Sequence, residues 1–445
     1  MPAGRRKLLG TALYGSASLA APALTGPASI IRASLVPILA APAIVRARSA
    51  SARVIVVGGG FGGATAARYL RQLAPHARVT LVEPATRFYT CPFSNLYLAG
   101  LRDWESLGHD YDGLRAAGVQ VIHDQAVDVR TAPRRLRLAG GQSLEWDRLV
   151  LSPGVDMRWN ALEGYDEAAA ERVPHAWKAG PQTRLLRRQM QAMPDGGTFV
   201  MVIPDNPYRC PPGPYERAAM VAHYFKRHKP RSKILLLDAK ENFSKKALFL
   251  QGWKDLYGDM IEWHGLSRDG QVARVDARTL EVETVFGERH KAAVLNVIPP
   301  QKAGFIAERA GVTDGSGWAP VKGENFASQQ VDGIHVLGDA AFAGPMPKSA
   351  FAANNQGKMA AAAIAAELSG RELPIASYAN TCYSLIGPGY GISVAGIYRA
   401  EQGRLIDVPG SVGTSPLDAA RDFRAAEARY GAAWYAAISA DVWDR

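Results

Sequence analysis

Three cysteines are the residues of this chain best suited to redox chemistry. The 445-residue sequence contains only Cys91 in "FYTCPFSN", Cys210 in "YRCPPGPYERA" and Cys382 in "NTCYSLIGPGYG". Two cysteines can form a disulfide, which leaves the third for a reactive thiol, an intermolecular bridge or another covalent use. The nine histidines show no metal-ligand spacing, so the sequence predicts no metal site.

The first 50 residues predict export. They contain six basic residues, among them the adjacent Arg5 and Arg6, no acidic residue, and an apolar stretch followed by small residues. This pattern is typical of a secretory leader, and the paired arginines favour the twin-arginine route to the periplasm over a Sec leader or a basic tail. Removing these six charges from the net charge of +11 leaves +5, which is too mild to indicate nucleic-acid binding. Disulfides persist in such an oxidising compartment.

An early segment has the pattern of a dinucleotide-binding unit. A short apolar strand, 53–57, precedes Gly58, Gly60 and Gly63 in GxGxxG spacing, and an alanine-rich helical stretch leads to a second strand ending at Glu83. Such glycines let the backbone approach a pyrophosphate at the positive end of the helix. The acid is placed to accept hydrogen bonds from a ribose. The pattern therefore predicts a bound FAD or NAD.

Two later segments favour FAD. "WDRLVLSPGV" predicts a strand running into a turn at Gly154, and "GIHVLGDAAF" predicts a strand ending at Gly338 and Asp339 before a long helix. This arrangement resembles the second FAD motif of glutathione-reductase-like flavoproteins, and the resemblance implies that the aspartate binds the ribityl chain. The strand "HDQAVDVR" resembles the segment whose backbone, near Val127, meets the adenine. We therefore expect an α/β fold with two dinucleotide-binding domains, followed by a carboxy-terminal α+β domain.

The turn that would bind NAD(P)H is missing from the second of these domains. It should follow the strand 198–203, where the sequence instead reads "PDNPYRCPPGPYERA". Asp205, Pro207 and Tyr208 do not permit the close approach that a pyrophosphate requires. A later strand in "SKILLLDA" indicates that the Rossmann-like fold is retained. We therefore expect no NAD(P) and a different redox partner.

Cys210 and Cys382 are the candidates for a redox disulfide beside the flavin. Cys210 occupies the turn of the lost nucleotide, just ahead of a helix predicted to begin near Pro214. The helix dipole and either Arg209 or Arg217 would favour its thiolate. Cys382 follows the second FAD motif in a region rich in glycine and tyrosine. A structural disulfide between domains is the alternative.

Cys91 is then without a cysteine partner. It is either an ordinary buried cysteine or a thioether to the flavin 8α carbon, and the residues alone do not choose. Glu216 lies six residues after Cys210, where it can manage a proton or simply stabilise the first helical turn. Trp434 and Lys348 are further candidates at the flavin, with packing and solvation as their alternatives.

Seven segments together resemble the flavoprotein subunit of flavocytochrome c sulfide dehydrogenases. They follow one another along nearly the whole chain after the leader: "VVGGGFGGATAARYL", "YTCPFSN", "PHAWKAGPQT", "RCPPGPYERA", "IPPQKAG", "PMPKSAFAANNQGK" and "NTCYSLIGPGYGISVAGIYR". The resemblance implies that Cys91 carries covalent FAD and that Cys210 and Cys382 form the disulfide beside it. It also implies a c-type cytochrome partner, and the haem must be on that partner because this chain has no CxxCH.

The activity implied is sulfide:cytochrome c oxidoreductase, in which hydrosulfide is oxidised to sulfur or polysulfide. One alternative is a sulfide:quinone oxidoreductase, which shares the fold and the cysteine pair. Another is a non-catalytic flavoprotein that docks on and reactivates a thiosulfate-oxidising carrier. The acids and alanines of the carboxy-terminal helical segment fit protein packing, so we expect no stable membrane insertion.

We expect five segments along the chain. They are a leader at 1–50, the first part of the FAD domain at 51–163, an inserted nucleotide-like domain at 164–301, the second part of the FAD domain at 302–372, and the carboxy-terminal domain at 373–445.

Overall fold

The computed structural model describes residues 51–444. The predicted leader lies outside the described residues. The helices within that range are Phe61–Leu73, Ser94–Ala99, Asp112–Ala116, Pro181–Ala192, Gly213–His228, Lys246–Tyr257, Phe305–Arg309, Ala350–Ser369 and Arg421–Ser439. None of the described helices is both long and apolar enough to cross a membrane.

A five-stranded parallel sheet forms the first nucleotide-binding domain. In spatial order its strands are Ile334–Val336, Arg148–Leu151, Arg53–Val57, Arg78–Val82 and Gln120–Ile122. The edge strand Ile334–Val336 comes from far along the chain, so two separate segments contribute to this sheet. The apolar residues of the central strand are almost completely buried because helices cover both faces of a parallel sheet.

A four-stranded parallel sheet forms the second domain. Its order is Ile261–His264, Lys233–Asp238, Thr198–Ile203 and Val294–Val297. The strand predicted at 198–203 is confirmed at both ends. The Rossmann-like arrangement is therefore retained although its glycine-rich turn is absent.

An antiparallel sheet and one long helix form the carboxy-terminal domain. The strands are Ser377–Gly387, Tyr390–Glu401 and Arg404–Asp407, with Gly413–Thr414 pairing beside them. The helix Arg421–Ser439 packs against this sheet. The tail after it returns to the first domain, where the indole N–H of Trp443 donates to the Gly59 carbonyl at 3.2 Å.

Short ribbons complete the structure. They are Phe88–Tyr89 with Gly108–His109; Ala126–Thr131 with Arg134–Leu138 and Ser143–Glu145; Val155–Met157 with Gln301–Ala303; Val272–Asp276 with Glu281–Thr284 and Arg289–Lys291; and Ala319–Pro320 with Ala341–Phe342. The predicted fold class is confirmed, while the five domain boundaries stay predictions.

Candidate functional site

One cavity of about 530 Å³ gathers most of the predicted site residues. It is bordered by all three domains. The predicted residues that line it are Gly58, Gly60, Glu83, Cys91, Gly154, Cys210, Glu216, Gly338, Asp339 and Cys382. Two predicted cofactor residues, Gly63 and Val127, do not line it. Val127 lies in the ribbon strand Ala126–Thr131.

The glycine turn is tightly built at the amino-terminal end of the first helix. Gly58 has a φ of +99°, and a Cβ there would lie 2.2 Å from the Ser152 carbonyl oxygen. Gly63 acts through packing, because a Cβ on it would lie 1.9 Å from the Gly58 carbonyl oxygen. Because these glycines have no side chain, the helix, the turn and the strand pack closely together. The backbone of the turn is then accessible to a phosphate group.

Two carboxylates mark the ends of a cofactor site. Glu83 accepts backbone hydrogen bonds from Gly59 at 2.8 Å and from Ala85 at 3.0 Å, which fix it at the cavity wall. Asp339 accepts a hydrogen bond from Arg209 at 2.8 Å through Oδ2. Its Oδ1 is buried and has no partner among the described residues. A buried acceptor of this kind requires a donor, which the hydroxyls of a ribityl chain can supply.

Arg209 contacts two residues that were predicted to bind the cofactor, Asp339 and Cys91. Its Nε donates to Asp339, and its terminal nitrogen donates to Cys91 Sγ at 3.3 Å and to the Trp177 carbonyl at 3.0 Å. The sequence assigned Arg209 to Cys210, so its contact with Cys91 was missed. The only sequence feature that pointed to Arg209 was its position next to Cys210.

Cys210 lies just ahead of the helix Gly213–His228, as predicted, in the left-handed region with φ +55°. Its N–H donates to the Lys348 carbonyl at 2.9 Å. Burial raises the pKa of the Cys210 thiol, and Cys382 and Glu216 raise it further. Lys245 opposes this shift, and the direction of the shift does not support the thiolate expected at Cys210.

Cys382 lies in the strand Ser377–Gly387 and reaches the same cavity. The amide of Asn380 donates to its Sγ at 3.4 Å. All three cysteines are free in the structure, so the Cys210–Cys382 disulfide is not formed in it and the pairing stays a prediction.

A carboxylate and an ammonium group accompany the two sulfurs. Glu216 lies in the first turn of its helix and lines the cavity. Burial raises the pKa of Glu216, and Lys245 opposes this shift. Lys245 was not singled out from the sequence, since "FSKKAL" resembles an ordinary exposed loop. In the structure it is only 7% exposed.

Aromatic residues form the wall on the carboxy-terminal side. Trp434 lines the cavity, stacked with Phe351 at 6.3 Å and near Tyr383 at 6.4 Å between ring centroids. Lys348 also lines it rather than lying in solvent, and its ammonium donates to the carbonyls of Asp339 and Ala341. Both residues border the cavity, and their roles at a bound flavin stay predictions.

In the second domain, the carboxylate at the position of a ribose-binding acid is hydrogen-bonded to side chains of the protein. Asp238 ends the strand Lys233–Asp238, where a dinucleotide fold places its ribose-binding acid. It is fully buried and accepts hydrogen bonds from Tyr215 at 2.6 Å, Trp263 at 3.0 Å and Lys240 at 2.6 Å. These side chains leave the carboxylate no free position for a nucleotide ribose.

A wider surface depression of about 740 Å³ adjoins Lys178. Both of its lysines are paired within the protein, with Lys178 2.7 Å from Asp156 and Lys302 2.9 Å from Glu308. We therefore assign the chemistry to the cavity that the three cysteines line.

The fold and this cavity are those of an FAD-dependent oxidoreductase. Residues 52–190 match the family "Pyridine nucleotide-disulphide oxidoreductase". Residues 183–299 match "Sulfide dehydrogenase [flavocytochrome c] flavoprotein chain, central", and residues 374–443 match "Flavocytochrome c sulphide dehydrogenase, flavin-binding". The chain belongs to this family of sulfide dehydrogenase flavoprotein chains. The matches confirm the predicted resemblance and FAD as the cofactor.

Sulfide-oxidising flavoproteins are among the proteins to which this chain is similar. It is 72% identical over 43 residues to a sulfide dehydrogenase [flavocytochrome c] flavoprotein chain of Chlorobaculum thiosulfatiphilum, covering 90% of that short sequence and 10% of this chain. It is 23% identical to the mitochondrial sulfide:quinone oxidoreductase of Mus musculus over 64% of this chain, and spans 65% of that enzyme's length. The solved sulfide:quinone oxidoreductase of Aquifex aeolicus has the same fold, with a TM-score of 0.68, 17% identity and coverage of 88% of this chain and 92% of that one.

Proposed function

We propose that this protein is the flavoprotein subunit of a sulfide:cytochrome c oxidoreductase. It oxidises hydrosulfide to sulfur or polysulfide through a Cys210–Cys382 disulfide and passes the electrons to a c-type cytochrome. One observation carries the proposal: Cys210, Cys382 and Glu216 line the same cavity as Cys91 and the other residues suited to FAD. A disulfide at this position would lie beside a bound flavin, where it could pass two electrons from the sulfur to the ring.

Several cavity residues would hold FAD. The backbone at Gly58 and Gly60 would bind the pyrophosphate, Glu83 the adenosine ribose and Asp339 the ribityl chain, and Cys91 would form the covalent bond to the ring. When bound, FAD supplies an acceptor that takes two electrons and releases them singly.

The cysteines and Glu216 handle the sulfur and its proton. Hydrosulfide attacks one sulfur of the disulfide; a new S–S bond forms, the old one breaks, and one cysteine leaves as a thiolate. Oxidation of hydrosulfide to sulfur releases one proton and two electrons in total. Glu216 is suited to take that proton because burial raises its pKa above the usual carboxyl range.

A second candidate is a sulfide:quinone oxidoreductase, which the similarity to the mouse enzyme favours. The test is to supply sulfide to purified protein and follow cytochrome c reduction and quinone reduction separately. Cytochrome c reduction that disappears in Cys382→Ser supports the proposal, while quinone reduction alone supports the second candidate. Reduction of neither acceptor contradicts both and favours a non-catalytic docking flavoprotein.

Covalent attachment is tested by flavin fluorescence in a denaturing gel. We expect a fluorescent band at the mass of the chain for wild type and for Cys210→Ala, and none for Cys91→Ala. The Cys210 variant is the matched control because it removes a cysteine from the same cavity. A wild-type band without fluorescence would contradict the cysteinyl bond.

We also propose that the protein acts in the periplasm after twin-arginine export and uses no NAD(P). The internal partners of Asp238 support the second statement. Replacement of Arg5 and Arg6 by lysine is expected to retain the protein in the cytoplasm, as fractionation would show. Bleaching of the flavin absorbance by NADH would contradict the absence of a nucleotide site.

A further inference from the structure

The segment Ala440–Asp444 contacts the glycine turn of the first domain from outside the flavin cavity. It directly follows the long carboxy-terminal helix and forms a single π-helical turn. Trp443 in this segment is only 1% exposed, and its indole N–H donates to the Gly59 carbonyl at 3.2 Å. Trp443 does not line the cavity, but both neighbours of Gly59, Gly58 and Gly60, do. The hydrogen bond is therefore made to the backbone that forms the cavity wall.

The Gly59 backbone is held on several sides by distant parts of the chain. Its N–H donates to the Glu83 carboxylate at 2.8 Å, and its carbonyl accepts from Trp443. A Cβ on Gly59 would lie 2.6 Å from Cε1 of Tyr111, so the Tyr111 ring leaves no room for a side chain there. A pyrophosphate is bound by backbone N–H groups of such a turn. Contacts that prevent the Gly59 peptide from rotating therefore fix the direction of these donors.

The ring of Trp443 also packs against two aromatic residues of the cavity wall. Its centroid lies 4.9 Å from that of Phe61 and 5.3 Å from that of Phe88, and both of these residues line the cavity. Phe61 is the first residue of the helix that follows the glycine turn. Aromatic pairs at such separations stabilise a structure beyond the area that they bury. Trp443 therefore supports both the turn and the start of its helix.

Asp441 anchors the same segment. Its carboxylate accepts hydrogen bonds from the Tyr69 hydroxyl at 2.9 Å and the Asn354 amide at 3.0 Å, and pairs with the Lys358 ammonium at 2.8 Å. Tyr69 lies on the helix that follows the glycine turn, whereas the other two partners lie on the helix Ala350–Ser369. One carboxylate thus joins the segment to both helices, which fixes the place of the indole two residues later.

We propose that Trp443 is a positioning residue for FAD, which holds the glycine turn in the conformation that binds the pyrophosphate, and that Asp441 holds Trp443 in place. Trp434, on the preceding helix, lines the cavity. One continuous stretch of the carboxy-terminal domain therefore reaches the cofactor site at two separate points. The inference rests on FAD as the cofactor and not on sulfide oxidation, so its test stands whether or not sulfide is turned over.

The pyrophosphate itself reports on the turn. Phosphorus NMR of the holoprotein observes the two phosphorus atoms of bound FAD, whose chemical shifts depend on the hydrogen bonds that the phosphate oxygens accept. Trp443→Phe keeps an aromatic ring beside Phe61 and Phe88 and removes the N–H donor to Gly59. We expect the pyrophosphate resonances to move in this variant. A role in packing alone would leave them in place.

The release of FAD measures the same contact as a rate. Cys91→Ala removes the proposed covalent bond, so that flavin fluorescence rises as FAD leaves the diluted holoprotein. Adding Trp443→Phe to this background should accelerate the release roughly tenfold, the factor that corresponds to the loss of one hydrogen bond. Asp441→Asn, which loses the charge that pairs with Lys358, should also accelerate it. Release at the background rate in that variant would overturn the role assigned to Asp441.

Trp146→Phe is the matched control. Trp146 is also 1% exposed, belongs to the same hydrophobic core as Trp443 and does not line the cavity. Its indole N–H has no partner among the described residues. This variant should leave the phosphorus resonances and the release rate unchanged. Unmoved resonances in Trp443→Phe overturn the proposal, and that result needs no Cys91 variant. Equal acceleration of release by both tryptophan variants also overturns it, because a general loss of stability would then explain the effect.

Discussion

Replacing Gly63 by alanine is expected to disrupt the nucleotide end of the flavin cavity. The added Cβ would lie 1.9 Å from the Gly58 carbonyl oxygen, whereas Cβ atoms essentially never come within 3.0 Å of another heavy atom. Because that oxygen belongs to the backbone of the glycine turn, no side-chain rotation relieves the contact. The helix Phe61–Leu73 and the turn must therefore separate by at least the 1.1 Å difference.

The magnitude follows from the cost of inserting a methyl group into close packing. Such overpacking costs about 1–3 kcal/mol. Domains of 150–250 residues lose roughly 2–4 °C of Tm per kcal/mol and longer chains lose less, so Tm should fall by at most about 12 °C. The flavin content should fall as well, because the displaced turn is the backbone that approaches the pyrophosphate.

The assay combines thermal unfolding with the ratio of flavin absorbance to protein absorbance. Gly315→Ala is the matched control, since Gly315 is exposed and an added Cβ there meets nothing within 4 Å. It should leave both quantities unchanged. Wild-type Tm and flavin content in Gly63→Ala would refute the packing role assigned to this glycine.

Lys240→Met should lower the free energy of unfolding by about 3–5 kcal/mol in a denaturant titration. The variant removes the ammonium that lies 2.6 Å from the buried Asp238 carboxylate. Wild-type stability would contradict the internal pairing of Lys240 and Asp238. Burial lowers the pKa of Lys348 to about 8 from 10.5, so the unfolded chain binds more protons between these values and stability should rise with pH across that window. Lys348→Met should flatten this rise in Tm, and an identical rise would exclude Lys348 as its source. Tyr435→Phe removes the 2.7 Å hydrogen bond with the hydroxyl of Thr90, the residue before Cys91. It should lower the free energy of unfolding by about 1 kcal/mol and reduce the share of flavin retained in a denaturing gel. Full retention of the flavin would contradict this prediction.

Much of the fold could be predicted from the sequence because its signals are local. The strand Thr198–Ile203 was predicted with its observed bounds, since an apolar run limited by glycines and a proline defines a buried strand. The glycine turn before the helix Phe61–Leu73 follows from backbone sterics within a few residues. The loss of the second nucleotide turn was equally visible, because Pro207 and its neighbours exclude the required close approach.

The partners of the site residues were decided only by the tertiary structure. The sequence placed Arg209 beside Cys210, but in the structure its guanidinium reaches Cys91 and Asp339. Lys245 comes from an apparently ordinary loop and meets Cys382 only because two domains pack together. Val127, which was expected at the adenine, is not among the residues that line the cavity. Spacing along the chain fixes backbone conformation, whereas side-chain contacts and pKa shifts depend on which distant elements are buried against one another, and no local pattern encodes that.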